Sequence, residues 1–305
     1  KLGNMNALGI ISDTSNVKMS DLGTTTFRPP YTPLTFGTIV GRNVGEFFDI
    51  FRKTPMHDWH VQHKAKFENV GQWKRAWYYP KGNESMHDAV QRESKAAREG
   101  AGILDASTLG KIDIKGRDAG EFLNRLYANN FGKLEVGKTR YGLMLREDGI
   151  AYDDGTTARL SKNHFVMTTT TANAVIVFRN LEFYRQCIWS NLDVHLISTT
   201  DGWAQFAIAG PNSRKLLQKV VDKKFDITNE NFPFMACKEL TICGGKLARL
   251  FRISFSGELA YELAIPARYG DSLIRVLIDA GQEFKATAYG TEALGVMRIE
   301  KGHAA

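Results

Sequence analysis

The chain has 305 residues, of which 43% are hydrophobic and 24% charged, and its formal net charge is +7. This length predicts two domains or one large duplicated domain, and no apolar run reaches the roughly 18 to 20 residues that a membrane span needs. The lysines and arginines are scattered in ones and twos, which argues against a nucleic-acid-binding protein. The modest basic excess favours an anionic small molecule or an acidic partner subunit.

The first residues contain no apolar segment, so no signal peptide is predicted, and the missing initiator methionine indicates that the chain starts inside a longer product. The three cysteines, Cys187, Cys237 and Cys243, lack the spacing of metal ligands, and their odd number argues against a disulfide framework. We therefore expect a protein of the reducing cytoplasm.

Residues 1–50 differ in composition from the rest of the chain. Three of the eight prolines lie within five residues, at Pro29, Pro30 and Pro33. Because proline lacks a backbone N–H and restricts its own φ angle, such a segment is extended and short of hydrogen-bond donors. We interpret residues 1–50 as a linker or arm on a neighbouring domain, and residues 51–305 as the folded domain.

From residue 84 onward the sequence becomes regularly patterned. A polar-rich helix is predicted first, followed by strands with alternating apolar residues and by a helix whose apolar residues, including Phe122 and Leu123, share one face. The predicted helices are 84–98, 117–127 and 173–188, and the predicted strands are 111–115, 141–145, 150–160 and 164–170. The turn at 146–149 joins two of these strands as a hairpin.

One pattern occurs twice. Residues 112–123 and residues 206–217, 94 positions later, both read as a short strand, a glycine and an amphipathic helix. Residues 261–280 follow the same plan more loosely. Strand–helix units mixed with hairpins predict an α+β fold in which helices pack on antiparallel sheets. Two similar halves also create a cleft at their junction, where a ligand commonly binds.

Several common catalytic motifs are missing from the sequence. It contains no dinucleotide fingerprint, no phosphate-binding Walker loop, no nucleophile elbow and no zinc-protease motif. His57, His60 and His63 lie three residues apart, so on a helix they do not share a face as i, i+4 ligands would. We interpret these histidines as structural and predict no metal site.

Longer segments resemble the folate-binding aminomethyltransferase family. The similarity begins at 52–80 and continues, in the order and spacing of that family, through GILDAS (102–107), GKIDIKG (110–116), FLNRL (122–126), AGP (209–211), SFSGE (254–258) and RIEKG (298–302). Each fragment alone is a weak signal, but their joint order over about 250 residues is specific. The resemblance implies a duplicated, antiparallel α+β domain that binds a reduced folate.

Within that family, the chain is most similar to the alpha subunits of heterotetrameric sarcosine oxidases. The segments that carry this likeness include FRPPYTP (27–33), FENVGQWKR (67–75), MTTTT (167–171) and YGTE (289–292). The resemblance implies that this is the folate part of such a subunit, with a nicotinamide-dinucleotide domain before it and most of a small barrel after it missing. The resemblance also implies that NAD and flavins bind elsewhere in the full complex. The partners would be the other sarcosine oxidase subunits, flavin-bearing beta, gamma and delta.

The sequence departs from the family at one functional position. Many aminomethyltransferases carry Asn-Asp after the helix that corresponds to 117–127, and that aspartate is essential there, whereas this chain has Asn129-Asn130. Proton transfer must then depend on another group, and Asp154 is our candidate catalytic residue. Asp153 and Asp154 point to opposite faces of a strand, so only one enters the cleft; the alternative is that both flank a bulge at Gly155.

The candidate cofactor-binding residues are Tyr141, Glu258, Phe255 and Thr170. Glu258 follows Ser256-Gly257 at the entrance of a strand, where its carboxylate can accept the two donors that a pterin presents side by side; the alternative is a solvated turn glutamate. Tyr141 would stack on or hydrogen-bond the ligand, or is a half-buried strand residue. Phe255, with Trp73, Trp77 and Tyr78, fits a core or cleft wall better than a dedicated cofactor pocket, and the threonines at 168–171 are interpreted most simply as a strand end.

The resemblance implies a reaction. Sarcosine is oxidised at a flavin in another subunit, the imine reaches this domain, and tetrahydrofolate traps its carbon as 5,10-methylenetetrahydrofolate while glycine leaves. Exclusion of water would protect the imine. Two other functions stay open at this point: a stand-alone folate-dependent aminomethyltransferase or demethylase, and a non-catalytic folate-binding scaffold, with which Asn130 is consistent.

Overall fold

The computed structural model describes residues 51–303, together with the single positions 16 and 18. Two compact units are distinguished along the chain, Lys1–Ile50 and Phe51–Ala305. The proposed arm at 1–50 lies outside the described residues, so its role stays a prediction. The description below concerns the second unit.

The described part of this unit contains seven α-helices and thirteen strands. The helices are α1 (His57–Gln62), α2 (Met86–Glu99), α3 (Ala119–Leu126), α4 (Ala174–Phe183), α5 (Ser213–Val220), α6 (Gly270–Ala280) and α7 (Thr291–Lys301). The strands are β1 (Lys66–Val70), β2 (Trp73–Tyr78), β3 (Ala101–Asp105), β4 (Gly110–Lys115), β5 (Thr139–Leu145), β6 (Ala151–Ser161), β7 (His164–Thr169), β8 (His195–Ser198), β9 (Trp203–Ala209), β10 (Cys237–Ile242), β11 (Lys246–Phe251), β12 (Ala260–Pro266) and β13 (Ala286–Ala288).

The strands form three sheets. Strands β1 and β2 make a hairpin, a five-stranded sheet has the order β5-β6-β7-β4-β8, and a six-stranded sheet has the order β10-β11-β12-β9-β3-β13. All neighbours pair antiparallel except β13 and β3, which run parallel. The predicted α+β class with helices on antiparallel sheets is therefore confirmed.

The repeated strand–glycine–helix pattern has a steric cause. Gly116 joins β4 to α3 at φ +134°, and Gly210 joins β9 to α5 at φ +116°. A Cβ on Gly116 would lie 2.0 Å from the backbone oxygen of Asp193, and one on Gly210 would lie 2.1 Å from that of Ala97. Both junctions therefore need a residue without a side chain and with a left-handed φ.

Each large sheet carries helices on its outer face. Helices α5 and α6 bury leucine and isoleucine side chains against β9, β11 and β12. Helix α3 buries Phe122, Leu123 and Leu126 against β4 and β7, on the face that the sequence pattern predicts. The inner faces of the two large sheets face each other, and residues from both sheets line one narrow cavity between them.

Helix boundaries follow local chemistry. Ser85 caps α2 and forms a reciprocal capping box with Asp88. The observed helix therefore begins at Met86, two residues after the predicted start at residue 84. The predicted helix at 173–188 is α-helical only from Ala174 to Phe183 and continues as a π-helix from Tyr184 to Ile188. In the described part of the chain, no helix combines the length and the apolar character needed to cross a bilayer. All three cysteines are free.

Candidate functional site

Tyr141 and Asp154 lie on the adjacent strands β5 and β6. Their registers place Asp154 opposite Leu143, and the Tyr141 hydroxyl donates to Asp154 Oδ2 at 2.8 Å. Tyr141 is 46% exposed. Partial burial and the bond to Asp154 raise the pKa of Tyr141 to about 12, so its hydroxyl keeps its proton and orients the carboxylate. We call these two residues the strand pair.

Asp153 points to the opposite face of β6. It is 7% exposed and accepts the backbone N–H of Thr170 at 3.2 Å, the Thr170 hydroxyl at 2.7 Å and the Asn173 amide at 3.1 Å. Burial raises the pKa of Asp153. Asp153 thus fixes the segment that starts α4. The hydroxyl of Thr170, a predicted cofactor-binding residue, donates to this carboxylate rather than to the strand pair.

The strand pair lies on the inner face of its sheet. Asp154 and Thr156 share that face because they are two residues apart on one strand. Thr156 contacts Thr168, whose Oγ1 accepts its backbone N–H at 3.1 Å, and Thr168 lines the narrow cavity between the sheets. Gly155 pairs in register with Gly142, and the irregularity between β5 and β6 lies at Met144 and Leu145. The alternative interpretation, in which both aspartates flank a bulge at Gly155, is therefore not supported.

The position where the family usually has an aspartate lies close to the strand pair. The Asn129 side chain accepts the backbone N–H of Leu143, the residue opposite Asp154, at 2.9 Å. The Asn130 side chain accepts the backbone N–H of Lys133 at 3.2 Å, and Arg140 donates to the Asn130 carbonyl. Asn130 therefore shapes a loop, and Asp154 supplies a carboxylate in the same neighbourhood.

Phe255 and Glu258 lie in the loop between β11 and β12. Gly257 adopts φ +81° there, and a Cβ on it would lie 2.5 Å from Lys301 Cγ, so this loop rests on the last turn of α7. Glu258 precedes β12 by two residues, as expected for a strand entrance. Phe255 is 44% exposed, with the Arg298 guanidinium 5.9 Å from its ring centre. We call Phe255 and Glu258 the loop pair.

Glu258 borders a cleft of about 350 Å³. The cleft is also lined by Phe234, Arg252, Ser254, Gly257, Leu259, Ala260, Lys301 and His303. Arg98, in the last turn of α2, places its Nε 3.8 Å from Glu258 Oε1 and also pairs with Glu300. Among the described residues, Glu258 accepts no hydrogen bond with either carboxylate oxygen, and the buried Ser254 hydroxyl lacks a partner. Sequence reasoning missed Arg98, because a basic residue near a helix C-terminus is common.

The strand pair and the loop pair are two separate groups. In the range 51–303, no hydrogen bond or ion pair joins one to the other. Trp73 is buried beneath the Arg52 guanidinium, 4.0 Å from its ring centre, and Trp77 donates to Glu292 at 2.7 Å. Tyr78 packs partly buried against the cluster around α2 and α7. These three aromatic residues therefore occupy core or wall positions, the interpretation that the sequence favoured over a dedicated cofactor pocket.

The three histidines near α1 have structural partners. His60 is buried between the carboxylate of Asp105, at 3.0 Å, and the hydroxyl of Tyr79, at 2.9 Å. His63 stacks on Trp59 with ring centres 3.8 Å apart. Within the described residues, no three His, Cys, Asp or Glu side chains form a group able to hold a metal ion.

The space between the two sheets holds ionisable side chains that the sequence pattern does not reveal. Arg249 pairs with both carboxylate oxygens of Asp113, each at 3.0 Å, and His164 contacts the same carboxylate at 2.9 Å. These contacts hold the pKa of Asp113 far below its usual range, although burial opposes them. Burial also lowers the pKa of Lys111 to about 8 and raises that of Glu262 to about 7. The layer between the sheets is thus a polar, charge-paired interior.

Comparison with known proteins agrees with this architecture. The family described as "GCVT N-terminal domain" matches residues 56–305. The chain belongs to the GCVT N-terminal domain family. A second family, described as "Sarcosine oxidase A3 domain", matches residues 1–42. The aminomethyltransferase T of the glycine cleavage system from Bartonella henselae shares the fold, with a TM-score of 0.71 and 24% identity over 84% of this chain and 64% of that one.

Full-length relatives extend the comparison. The chain is 54% identical to the sarcosine oxidase subunit alpha of Rhizobium meliloti (strain 1021) and 50% identical to that of Corynebacterium sp. (strain U-96), in each case over 99% of this chain. It spans 31% of the length of each of these relatives. The resemblance to the aminomethyltransferase family and to sarcosine oxidase alpha subunits is therefore confirmed.

Proposed function

We propose that this GCVT-family domain binds tetrahydrofolate as part of a cytoplasmic sarcosine oxidase alpha subunit. There it would trap the imine formed by sarcosine oxidation, yielding 5,10-methylenetetrahydrofolate and glycine. Its partners would be the flavin-bearing subunits of the same enzyme. The 54% identity to a sarcosine oxidase subunit alpha supports this assignment. The observation that carries the chemistry is the Tyr141–Asp154 hydrogen bond at 2.8 Å, beside a family aspartate position occupied by Asn130.

The cleft at Glu258 fits the pterin end of a reduced folate. Its volume of about 350 Å³ is at the lower end of the range for small-molecule sites, which suits a bicyclic ring rather than the whole cofactor. A pterin presents a ring N–H and an amino group side by side, and a carboxylate can accept both. Glu258 has both oxygens available for them among the described residues, and the unpartnered Ser254 hydroxyl offers a further polar contact.

The strand pair fits proton transfer. Tetrahydrofolate supplies the nucleophilic amine that takes up the carbon unit. Asp154 is half-buried and would receive or relay a proton released near its Oδ atoms, a role worth about 10²- to 10⁴-fold in rate. Tyr141, with its pKa near 12, holds Asp154 in one orientation without competing for that proton. Asp153 would take no direct part, because it is buried on the other face.

Calorimetry tests the proposed ligand directly. Titrating the protein with tetrahydrofolate under anaerobic conditions should give a saturable heat at one site. p-Aminobenzoylglutamate, which lacks the pterin but keeps the charged tail, is the matched control and should bind far more weakly. No heat with tetrahydrofolate, or equal binding of the control, would overturn the assignment of Glu258 to a pterin.

A non-catalytic folate-binding scaffold is the second candidate, and one contact favours it. The Asn130 amide is used to hold the loop at Lys133, so the family's usual carboxylate is replaced by a structural group. A single-turnover reaction with formaldehyde and bound tetrahydrofolate separates the two functions. The enzyme should accelerate methylenetetrahydrofolate formation over the free reactants, whereas a scaffold would bind the folate and leave that rate unchanged.

A further inference from the structure

Arg98 connects three segments at the edge of the cleft. It lies in the last turn of α2, with its Nε 3.8 Å from Glu258 Oε1 in the β11–β12 loop. It also pairs with Glu300 in the last turn of α7. The side chains of Arg98, Glu258 and Glu300 are 37%, 29% and 54% exposed. Arg98 thus contacts Glu258 but is not among the residues that line the cleft.

The loop that carries Glu258 depends on the same helix end. Gly257, with its left-handed φ of +81°, packs directly on the side chain of Lys301. The Ser256 hydroxyl accepts the backbone N–H of Glu258 at 3.4 Å. Backbone packing thus fixes the position of the Glu258 Cα atom, while the direction of the Glu258 carboxylate depends on the positive charge of Arg98 beside it.

We propose that Arg98 is a positioning residue that holds the Glu258 carboxylate in the orientation that accepts the folate ring. This inference rests on the proposed function and goes beyond it, because it assigns a role to a residue outside the cleft. Glu300 anchors the guanidinium, which keeps Arg98 from closing fully over the carboxylate oxygens. The 3.8 Å separation from Glu258 leaves those oxygens free for a ligand.

The physical reason is preorganisation. A guanidinium 3.8 Å from one carboxylate oxygen restricts the rotamers of the Glu258 side chain, so less ordering is needed when a ligand with two N–H donors binds. The other ionisable groups near Glu258 are Glu300, Lys301 and His303 at the end of α7 and Arg252 in the loop. Among the described residues, Arg98 is the cation that forms an ion pair with Glu258.

Tetrahydrofolate affinity, measured by calorimetry, tests this role. Arg98→Met should weaken binding by about two- to fivefold, the range expected for a partly exposed ion pair. Arg98→Lys keeps a positive charge at this position and should restore most of the lost affinity.

Two further variants make the result decisive. Lys95→Met removes a cation one turn earlier on α2, where Lys95 pairs with Glu99 at 3.9 Å, and should leave affinity unchanged. In a Glu258→Gln background, Arg98→Met should cost no further affinity, because residues that act through one another are not additive. Additive losses, or wild-type affinity in Arg98→Met, would overturn the proposal. If wild type binds no tetrahydrofolate, or if Glu258→Gln binds as wild type does, the proposed function fails instead.

Discussion

The two halves of the candidate site present their carboxylates differently. Asp154 lies on a regular strand and is held by a neutral donor, the Tyr141 hydroxyl at 2.8 Å. Glu258 lies on an irregular loop and is accompanied by a cation, with Arg98 at 3.8 Å. Each has a second, buried carboxylate close by in sequence, Asp153 and Glu262 respectively, whose pKa is raised by burial.

This difference separates two kinds of chemistry. A carboxylate held through one oxygen by a neutral hydroxyl leaves its other oxygen available for proton transfer with a reacting group. A carboxylate held in place by a neighbouring guanidinium suits the recognition of N–H donors. We therefore expect the strand pair to affect the rate of carbon transfer and the loop pair to affect folate affinity. The buried carboxylates should affect stability instead.

The largest expected effect is that of Asp154→Asn. In the proposed sarcosine oxidase, reconstituted with flavin-bearing subunits and supplied with sarcosine and tetrahydrofolate, we expect a loss of about 10²- to 10⁴-fold in methylenetetrahydrofolate formation. Sarcosine oxidation should persist and release formaldehyde. Tyr141→Phe removes only the orienting donor, so its loss should be about two- to tenfold. Product analysis by chromatography and a formaldehyde assay measure both.

Asp148→Asn is the matched control for this experiment. Asp148 lies in the turn of the same hairpin, half-exposed and paired with Arg146 at 2.8 Å. Its substitution should leave both products unchanged. An Asp154→Asn enzyme that forms methylenetetrahydrofolate at the wild-type rate would show that another group handles the proton, and the contrast between the two carboxylates would then be lost.

The buried carboxylate near the loop pair predicts a pH effect on stability. The folded-state pKa of Glu262 is about 7, against an ordinary value of 4.5, so the folded protein holds a proton that the unfolded chain releases between these values. The free energy of unfolding should therefore fall as pH rises from 4.5 to 7, by about 3 kcal/mol at 1.36 kcal/mol per unit.

Glu262→Gln should remove this component. Urea unfolding at pH 5 and pH 8 measures it, and the variant should lose less stability between the two pH values than wild type does. The substituted amide can still accept the hydrogen bond from Gln205. An identical pH dependence in both proteins would mean that burial does not raise the pKa of Glu262 in the fold.

Glu258→Gln should lower the affinity for folate. It keeps the shape, removes the charge and turns one acceptor toward the pterin into a donor. A hydrogen bond to a charged group contributes about 1.5 to 3 kcal/mol, so affinity for tetrahydrofolate should fall by about 10- to 150-fold. The melting temperature should hardly change, because Glu258 is a partly exposed loop residue.

Glu283→Gln provides the comparison for that measurement. Glu283 is exposed and pairs with Lys219 at 2.7 Å on the outer helical layer, away from the cleft lining. Calorimetry should find wild-type affinity in this variant. Wild-type affinity in Glu258→Gln as well would return Glu258 to the solvated-turn interpretation.

The sequence alone predicted the α+β class, the strand–glycine–helix repeat and most element positions. These features have local causes. Alternating apolar residues in β4, the apolar stripe of α3 and the glycines at 116 and 210 follow from the geometry of a few adjacent residues. The opposite orientation of Asp153 and Asp154 follows in the same way from strand pleating. The resemblance to known proteins identified the family of the chain, whereas the roles of the site residues stay predictions.

The tertiary structure alone decided the electrostatics. Arg249 pairs with Asp113 across 136 residues of sequence, and Arg98 meets Glu258 across the junction of a helix, a loop and a second helix. A local sequence pattern does not predict such partners, because these contacts depend on how the sheets and helices pack against one another. Burial is likewise a property of the assembled fold. It raises the pKa of Glu262, whereas Glu258, four residues earlier in the chain, borders the cleft.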